Sequence, residues 1–283
     1  MELSLINRMK SITFYKMSGS GNDFVIIDNR SKAVVEKYLS DFIVNVCRRK
    51  VSVGADGLIL VENSDIADFK WRFFNSDGSK AEMCGNGAIC VARFAYINRI
   101  AGSKMSFETE TGIVYAKIEK NNSAKIKMPD PVDLMTDCSL QLENGTLFFD
   151  YINTGVPHVI VAVDKIDDVK ITELGREIRF HQRFSPAGAN VNFISGREDG
   201  VIAIRTYERG VEDETLACGT GSVAAAVVCA NKSERKSPVK VLTRSGGYLF
   251  IYFKEKNGKL SDIYLEGDAR IIYKGELYED AWN

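Results

Sequence analysis

Two stretches, Met83-Cys84-Gly85-Asn86-Gly87-Ala88 and Ala217-Cys218-Gly219-Thr220-Gly221-Ser222, share the pattern Cys-Gly-x-Gly, and each opens a long apolar run that reads as a buried helix. Exposed amides at a helix start carry partial positive charge and can draw a thiol pKa from about 8.5 towards 7 or below. The glycines let the backbone approach a ligand closely, so the same amides can also hold a carboxylate. If two such thiols face one carbon, repulsion disfavours double ionisation and the pair holds one proton between them. One thiol then takes a proton while the other gives one, which is the chemistry of a racemase or epimerase.

A single Cys-Gly-x-Gly start is more often a packing device, and buried cysteine is common. Two in repeat register reverse that weighting. Cys90 and Cys229 fall inside the apolar helices and read as structural, and Cys47 and Cys138 have no partner motif. No Cys-x-x-Cys pair occurs, and two histidines leave few ligands for zinc, so neither a metal site nor a disulfide framework is expected.

The repeat extends beyond the cysteines. Cys84 and Cys218 lie 134 positions apart, as do Gly112 and Gly246, while Gly19 and Gly155 lie 136 apart. Gly19–Asp28 and Gly155–Asp164 both read as turn, strand and acid. Each half is therefore several short strands around one late helix. The runs Ala88–Ile97 and Val223–Ala230 are apolar on nearly every face, so each helix must be enclosed. Strands over Phe107–Ile118 and Tyr248–Lys254, rich in β-branched and aromatic residues, can wrap them. An α+β protein follows, of two pseudo-symmetric domains, each a barrel-like set of strands around a central helix, with an active site in the cleft between them. Pro129 and Pro131 mark the crossover. The expected domains are 12–128 plus 268–283, and 129–267, with the strand from Ala269 returning to the first.

The 283 residues carry 37 Lys and Arg against 38 Asp and Glu, which provides no cationic face for nucleic acid or anionic lipid. The longest apolar stretch, near Val223–Ala230, is far below the roughly 20 residues that span a bilayer. A cytoplasmic protein with a small soluble partner is expected.

Several motifs in fixed order resemble the diaminopimelate epimerase family. They are Lys16-Met-x-Gly-x-Gly-Asn-Asp-Phe24, Arg72-Phe-Phe-Asn-Ser-Asp-Gly78, Met83-Cys-Gly-Asn-Gly87, Asn153-Thr-Gly-Val-Pro-His158, Asn190-Val-Asn192 and Tyr207-Glu-Arg-Gly-Val-Glu-Asp-Glu-Thr215 leading into Ala217-Cys-Gly-Thr-Gly221. The resemblance runs from residue 12 to about 275, leaving the residues before Met9 outside it. It implies cofactor-independent interconversion of the LL and meso forms of 2,6-diaminoheptanedioate, a step towards lysine and peptidoglycan precursors. It further implies Cys84 and Cys218 as acid and base, with Gly85, Asn86, Gly219 and Thr220 holding the reacting carboxylate through backbone amides. Asn22, Asn75, Asn192, Glu208 and Arg209 would bind substrate, Arg209 gripping the far carboxylate with its planar fork. His158 and Glu208 would tune the thiols, and Tyr273 would lie at the contact of a homodimer.

Each implied role has a plainer competitor. The asparagines lie near turns, Glu208 and Arg209 could be a solvated pair, His158 a core histidine and Tyr273 an ordinary strand aromatic. Gly57 and Val156 depart from a version of the family pattern with glutamine and asparagine there, so distal contacts are expected to be fewer or supplied by backbone. A proline or hydroxyproline racemase, a Cys-His thiol hydrolase and a non-catalytic redox switch of Cys84 with Cys218 remain alternatives. Exchange of the substrate's α-proton separates them, because only a stereoinverting enzyme exchanges it.

Overall fold

A computed structural model describes residues 11–81, 83–120, 123–233 and 235–282, so the segment before Met9 lies outside the described residues. The chain divides into two compact units, one running to Ala124 and resuming at Ala269, the other Lys125–Asp268.

In the first unit, β1 (Ile12–Gly19) and β2 (Asn22–Asp28) form a hairpin whose two turn residues, Ser20 and Gly21, have φ of 51° and 103°. Two-residue hairpins favour this left-handed geometry, which matches the twist of the strands. β2 runs parallel to β3 (Gly57–Glu62), and β3 antiparallel to β4 (Phe69–Asn75). Parallel neighbours cannot be joined by a tight turn. The β2–β3 connection accordingly contains α1 (Leu39–Cys47). β4 is parallel to β5 (Lys104–Thr109), and their connection contains α2 (Gly85–Ile97). β5 then pairs antiparallel with β6 (Gly112–Ile118), after which β7 (Ser123–Lys127) leads towards the second unit.

The second unit opens with the hairpin of β8 (Val132–Leu142) and β9 (Gly145–Asn153) and then repeats the same order of pairings. β9 is antiparallel to β10 (Pro157–Ala162), and β10 is parallel to β11 (Asn190–Gly196) across α3 (Ile171–Arg179). β11 is antiparallel to β12 (Ile202–Glu208), on which the short β13 (Asp213–Thr215) also pairs. β12 is parallel to β14 (Val239–Leu242) across α4 (Gly219–Ser233), and β14 is antiparallel to β15 (Tyr248–Lys256). The last strand, β16 (Lys259–Leu277), pairs with β15 through its first half. Its second half belongs to the first unit, where Ala269 lies opposite Gly19 and Leu277 opposite Ile12 on β1.

The fold is thus α+β in two similar halves, with an apolar helix at the centre of each set of strands. In α2 every residue from Gly85 to Ala92 is buried, and Val223–Val228 are buried in α4. Gly19 is what lets α2 seat against β1: a Cβ there would stand 2.9 Å from the Asn86 carbonyl and 3.0 Å from Cys90 Sγ. Arg93, the charged residue in this helix, donates to the Ala269 carbonyl of β16.

One expectation is corrected. Each half holds a second helix, α1 or α3, outside the strands. α1 buries Leu39, Phe42, Ile43, Val46 and Cys47 against Val25 and Ile27 of β2 and Leu58 and Leu60 of β3. These strands are covered on both faces and so read as unbroken apolar runs. α3 carries little apolar periodicity, because Thr172, Glu173, Arg176 and Glu177 are polar and its buried stripe is only Ile171, Gly175 and Ile178.

Gly175 supplies a test of that packing. Alanine ordinarily stabilises a helix interior over glycine by roughly 0.5–1 kcal/mol. Here a Cβ would lie 2.5 Å from Tyr207 Cβ, and Tyr207 is wholly buried. Gly175→Ala should therefore destabilise, by about 1–3 kcal/mol as other overpacked cores do. Urea denaturation checks the sign, and a stabilised variant would refute the packing argument.

Candidate active site

Cys84 occupies the cap position of α2 with extended backbone, φ −139° and ψ 118°. Its carbonyl accepts from Ala88 N at 2.8 Å, and its sulfur accepts from Gly87 N at 3.4 Å. The sulfur thus takes the place that a serine or aspartate oxygen takes at most helix starts, where the first amides have no partner within the helix. Asn86, next in the first turn, donates from Nδ2 to Asn22 Oδ1 at 2.7 Å. Asn22 in turn donates from its own Nδ2 to Asp56 Oδ2 at 3.2 Å. A carboxylate only accepts, so Asp56 fixes which end of the Asn22 amide faces Asn86.

Arg49 holds Asp56 at 2.8 Å and Asp23 at 2.6 Å, and Lys16 pairs with Asp23 at 2.7 Å. Burial pushes the Asp23 carboxyl up, but Arg49 and Lys16 together outweigh it and leave the pKa lowered. Asn75, exposed at the end of β4, donates to Ser79 Oγ at 3.0 Å and lies opposite Gly57 in the strand register. A side chain at Gly57 would meet the Phe73 ring and the Phe74 carbonyl, both at 2.6 Å. The packing of β4 therefore excludes one.

In the second unit the pattern recurs at α4. Gly221 N donates to Cys218 Sγ at 3.4 Å, Ser222 N donates to the Cys218 carbonyl at 2.9 Å, and Thr220 Oγ1 lies 3.4 Å from the sulfur. Thr154 Oγ1 donates to the Thr220 carbonyl at 3.1 Å. The polar support beneath the turn is different. Asn192 is fully buried, and a Cβ on Gly221 would lie 2.3 Å from its Oδ1. Its Oδ1 accepts from Thr206 at 3.0 Å and its Nδ2 donates to the Val159 carbonyl at 3.0 Å, which fixes the amide's orientation. The same Nδ2, 3.0 Å from His158 Nδ1, must therefore donate to it, placing the ring proton on Nε2. Burial, with a smaller contribution from the charge of Arg209, lowers the His158 pKa to about 3. The ring is neutral at ordinary pH.

Glu208 ends β12 and Arg209 opens the turn that follows, where the two part company. Glu208 is half-buried, burial raises its carboxyl pKa, and Thr215 Oγ1 donates to its Oε2 at 2.8 Å. Arg209 is half-buried and its Nη1 donates to the Ala187 carbonyl at 3.2 Å. The adjacent charges are therefore not a solvated pair.

Within the first unit, Cys84, Gly85, Asn86 and Asn22 meet directly, with Asn75 at the end of a neighbouring strand. Within the second, Cys218, Gly219 and Thr220 stand over Asn192 and His158. Tyr273 is on β16 of the first unit, opposite Lys16, with 44% exposure and its ring edge-on to Phe14.

Sequence reasoning missed Asp56 and Arg49, which orient Asn22, and Asn190, whose Oδ1 accepts from Arg209 N at 2.9 Å. Asn190 stands two residues before Asn192 on one strand, so period two puts both on the same face and could have flagged it. Burial pushes the Cys47 thiol up to about 12 and raises those of Cys90 and Cys229, which disfavours the thiolate at these three.

Comparison with known proteins bears on this arrangement. The family model for diaminopimelate epimerase matches residues 14–134 and 150–272. The chain belongs to the diaminopimelate epimerase family. It is 46% identical to the diaminopimelate epimerase of Aquifex aeolicus over 278 residues, covering 94% of this chain and 98% of that one. It is 42% identical to that of Archaeoglobus fulgidus over 279 residues, covering 94% and 96%. Among solved structures, a Bacillus anthracis phenazine biosynthesis protein of the PhzF family superposes with TM-score 0.72 at 18% identity, covering 95% of this chain and 99% of that one. An Agrobacterium vitis hydroxyproline epimerase does so with TM-score 0.71 at 15% identity, covering 96% and 93%. At such identities the likeness is one of fold. The racemase alternative thus shares the architecture, whereas the family match is to diaminopimelate epimerases.

The buried histidine has a consequence for stability. Between pH 6.5 and about 3 the unfolded chain binds a proton at His158 that the folded chain excludes. Its contribution is therefore present above pH 6.5 and is lost as pH falls through that window. Glu208, with its raised pKa, acts in the opposite sense and loses stability as pH rises through its folded value. His158→Gln should make the acid limb of a stability-against-pH curve shallower, as read from urea titrations at stepped pH. An unchanged limb would show that His158 does not titrate this way.

Proposed function

We propose that the chain epimerises LL-2,6-diaminoheptanedioate to the meso form by a two-base mechanism, with Cys84 and Cys218 as the acid and base on opposite faces of one α-carbon. The observation that carries the reading is the matched pair of helix starts. In each unit a cysteine sulfur accepts from the amide three residues on, at the same 3.4 Å, and the helix behind it is enclosed by strands. Family membership supports the substrate.

A thiolate at such a start is stabilised by amides already oriented towards it, so little reorganisation accompanies proton transfer. The adjoining amides of Gly85, Asn86, Gly219 and Thr220 would take the carboxylate at the reacting centre. Neutral His158 and Glu208, whose carboxyl pKa burial raises, would tune the thiol of the second unit. Arg209 would grip the distal carboxylate, with Asn22, Asn75 and Asn192 shaping the remaining contacts. Asn192 acts from beneath, since both ends of its amide are already bonded within the protein.

The chemistry needs no pyridoxal phosphate, nicotinamide or metal, and exhaustive chelation should leave activity unchanged. The protein would work in the cytoplasm as a homodimer. The exposed Ile271, Ile272 and Tyr273 on β16 would form part of the contact.

The deciding experiment is incubation of LL-substrate in deuterated water, where meso product should carry deuterium at one α-carbon. Inversion without exchange, or no reaction, would overturn the reading. Cys84→Ala and Cys218→Ala should each abolish epimerisation, since one face loses its proton carrier. Each should still exchange the α-proton of one configuration, and the two preferences should be opposite; the same preference in both would refute the two-base arrangement.

Arg209→Lys should lower kcat/KM for diaminopimelate on the order of 100-fold, because an ammonium cannot reproduce a bidentate grip and remote binding also orients the reacting carbon. Near-normal kinetics would remove Arg209 from the substrate site.

A further inference from the structure

The turn after β12 is held by groups that the reaction itself does not require. Glu212 sits at φ +60°, a left-handed conformation that a residue with a Cβ adopts at a cost. Its amide donates to the Glu208 carbonyl at 2.8 Å, closing the turn around Arg209. Its Oε1 accepts twice, from Gly210 N at 3.0 Å inside the turn and from Arg179 Nη2 at 3.1 Å.

Arg179 is the last residue of α3. Its guanidinium crosses Gly188, where a Cβ would fall 1.6 Å from Nη1, so only glycine leaves room. Gly188 directly follows Ala187, whose carbonyl accepts from the Arg209 guanidinium, and Asn190, the first residue of β11, accepts from the Arg209 amide. The circuit is closed: Arg209 rests on the 187–190 segment, that segment packs on Arg179, Arg179 binds Glu212, and Glu212 binds the turn that carries Arg209.

Stability does not account for the pair. Both side chains are mostly buried, at 13% and 29% exposure, yet Arg179 Nε and Glu212 Oε2 have no hydrogen-bond partner among the described residues. A buried pair with unmet polar atoms is a poor stabiliser compared with apolar packing. A strained residue and a costly ion pair around one substrate-facing arginine are what positioning requires.

We infer that Arg179 and Glu212 are positioning residues which fix the guanidinium of Arg209 for the distal carboxylate of the substrate. The inference rests on the proposed role of Arg209. It makes the outer helix α3 part of the specificity apparatus rather than only a cover for the sheet.

Glu212→Gly separates this from a structural role, because glycine relieves the left-handed strain while removing the brace. Because it also leaves the mostly buried Arg179 unpaired, it is combined with Arg179→Met, and the double variant should melt near the wild-type temperature while KM for LL-diaminopimelate rises roughly tenfold or more and kcat changes less. Arg179→Met, which keeps much of the side chain's bulk, should shift KM in the same direction. A KM within about twofold of wild type in the double variant or in Arg179→Met would overturn the inference, as would a fall in melting temperature that accompanies the loss of activity in the double variant.

Amide hydrogen exchange tests the brace without turnover. The Arg209 amide, bonded to Asn190 and not to Glu212, should exchange faster in Glu212→Gly, and unchanged protection there would overturn the brace. If the wild-type protein did not epimerise diaminopimelate, the proposed function would fall, while this exchange measurement would still decide whether the turn is held from Glu212.

Discussion

A helix with no polar face has nowhere to go but inside, and the amides at its start must still be bonded. Most of this protein's organisation follows from that constraint. α2 and α4 are each enclosed by strands. The unmet amides of the first turn are a polar feature that any such helix carries into its surroundings. In both units a cysteine sulfur accepts one of them. In the proposed mechanism the group that completes the helix cap is also the group that moves a proton, so fold and chemistry would share one hydrogen bond.

The two halves support that turn differently. The first uses a charged, partly open chain, in which Arg49 holds Asp56, Asp56 orients Asn22, and Asn22 accepts from Asn86. The second uses a neutral, fully buried one, in which Thr206 and the Val159 carbonyl orient Asn192, and Asn192 sets the tautomer of His158. A group that can only accept fixes each amide, so orientation passes along the chain without ambiguity. The chain is pseudo-symmetric in backbone and asymmetric in electrostatics. Two thiols with different surroundings suit a reaction in which one begins protonated and the other does not.

The parallel pairs of strands explain the remaining architecture. A parallel pair requires a crossover long enough for a helix. Each half has two such pairs, and so an inner and an outer helix. The outer helices cover the far face of the strands, and α3 also places Arg179 within reach of the turn after β12.

The sequence alone determined the repeat, the two enclosed helices, the cysteines at their starts and the family to which the motifs point. These are local or periodic features, written in residues close together along the chain. It left the outer helices unseen, because an amphipathic helix such as α3 needs only a narrow apolar stripe, and three buried residues do not stand out among polar neighbours. Tertiary structure decided what the polar residues do. Asn22 and Asn86 are 64 positions apart and Asn22 and Asp56 are 34, and strand register, which no local pattern records, brings them together. The same holds for the adjacent Glu208 and Arg209. In sequence they are one pair of charges, but both are part-buried and each turns to its own partner, Glu208 accepting from Thr215 and Arg209 donating to the Ala187 carbonyl, while burial raises the acid's pKa.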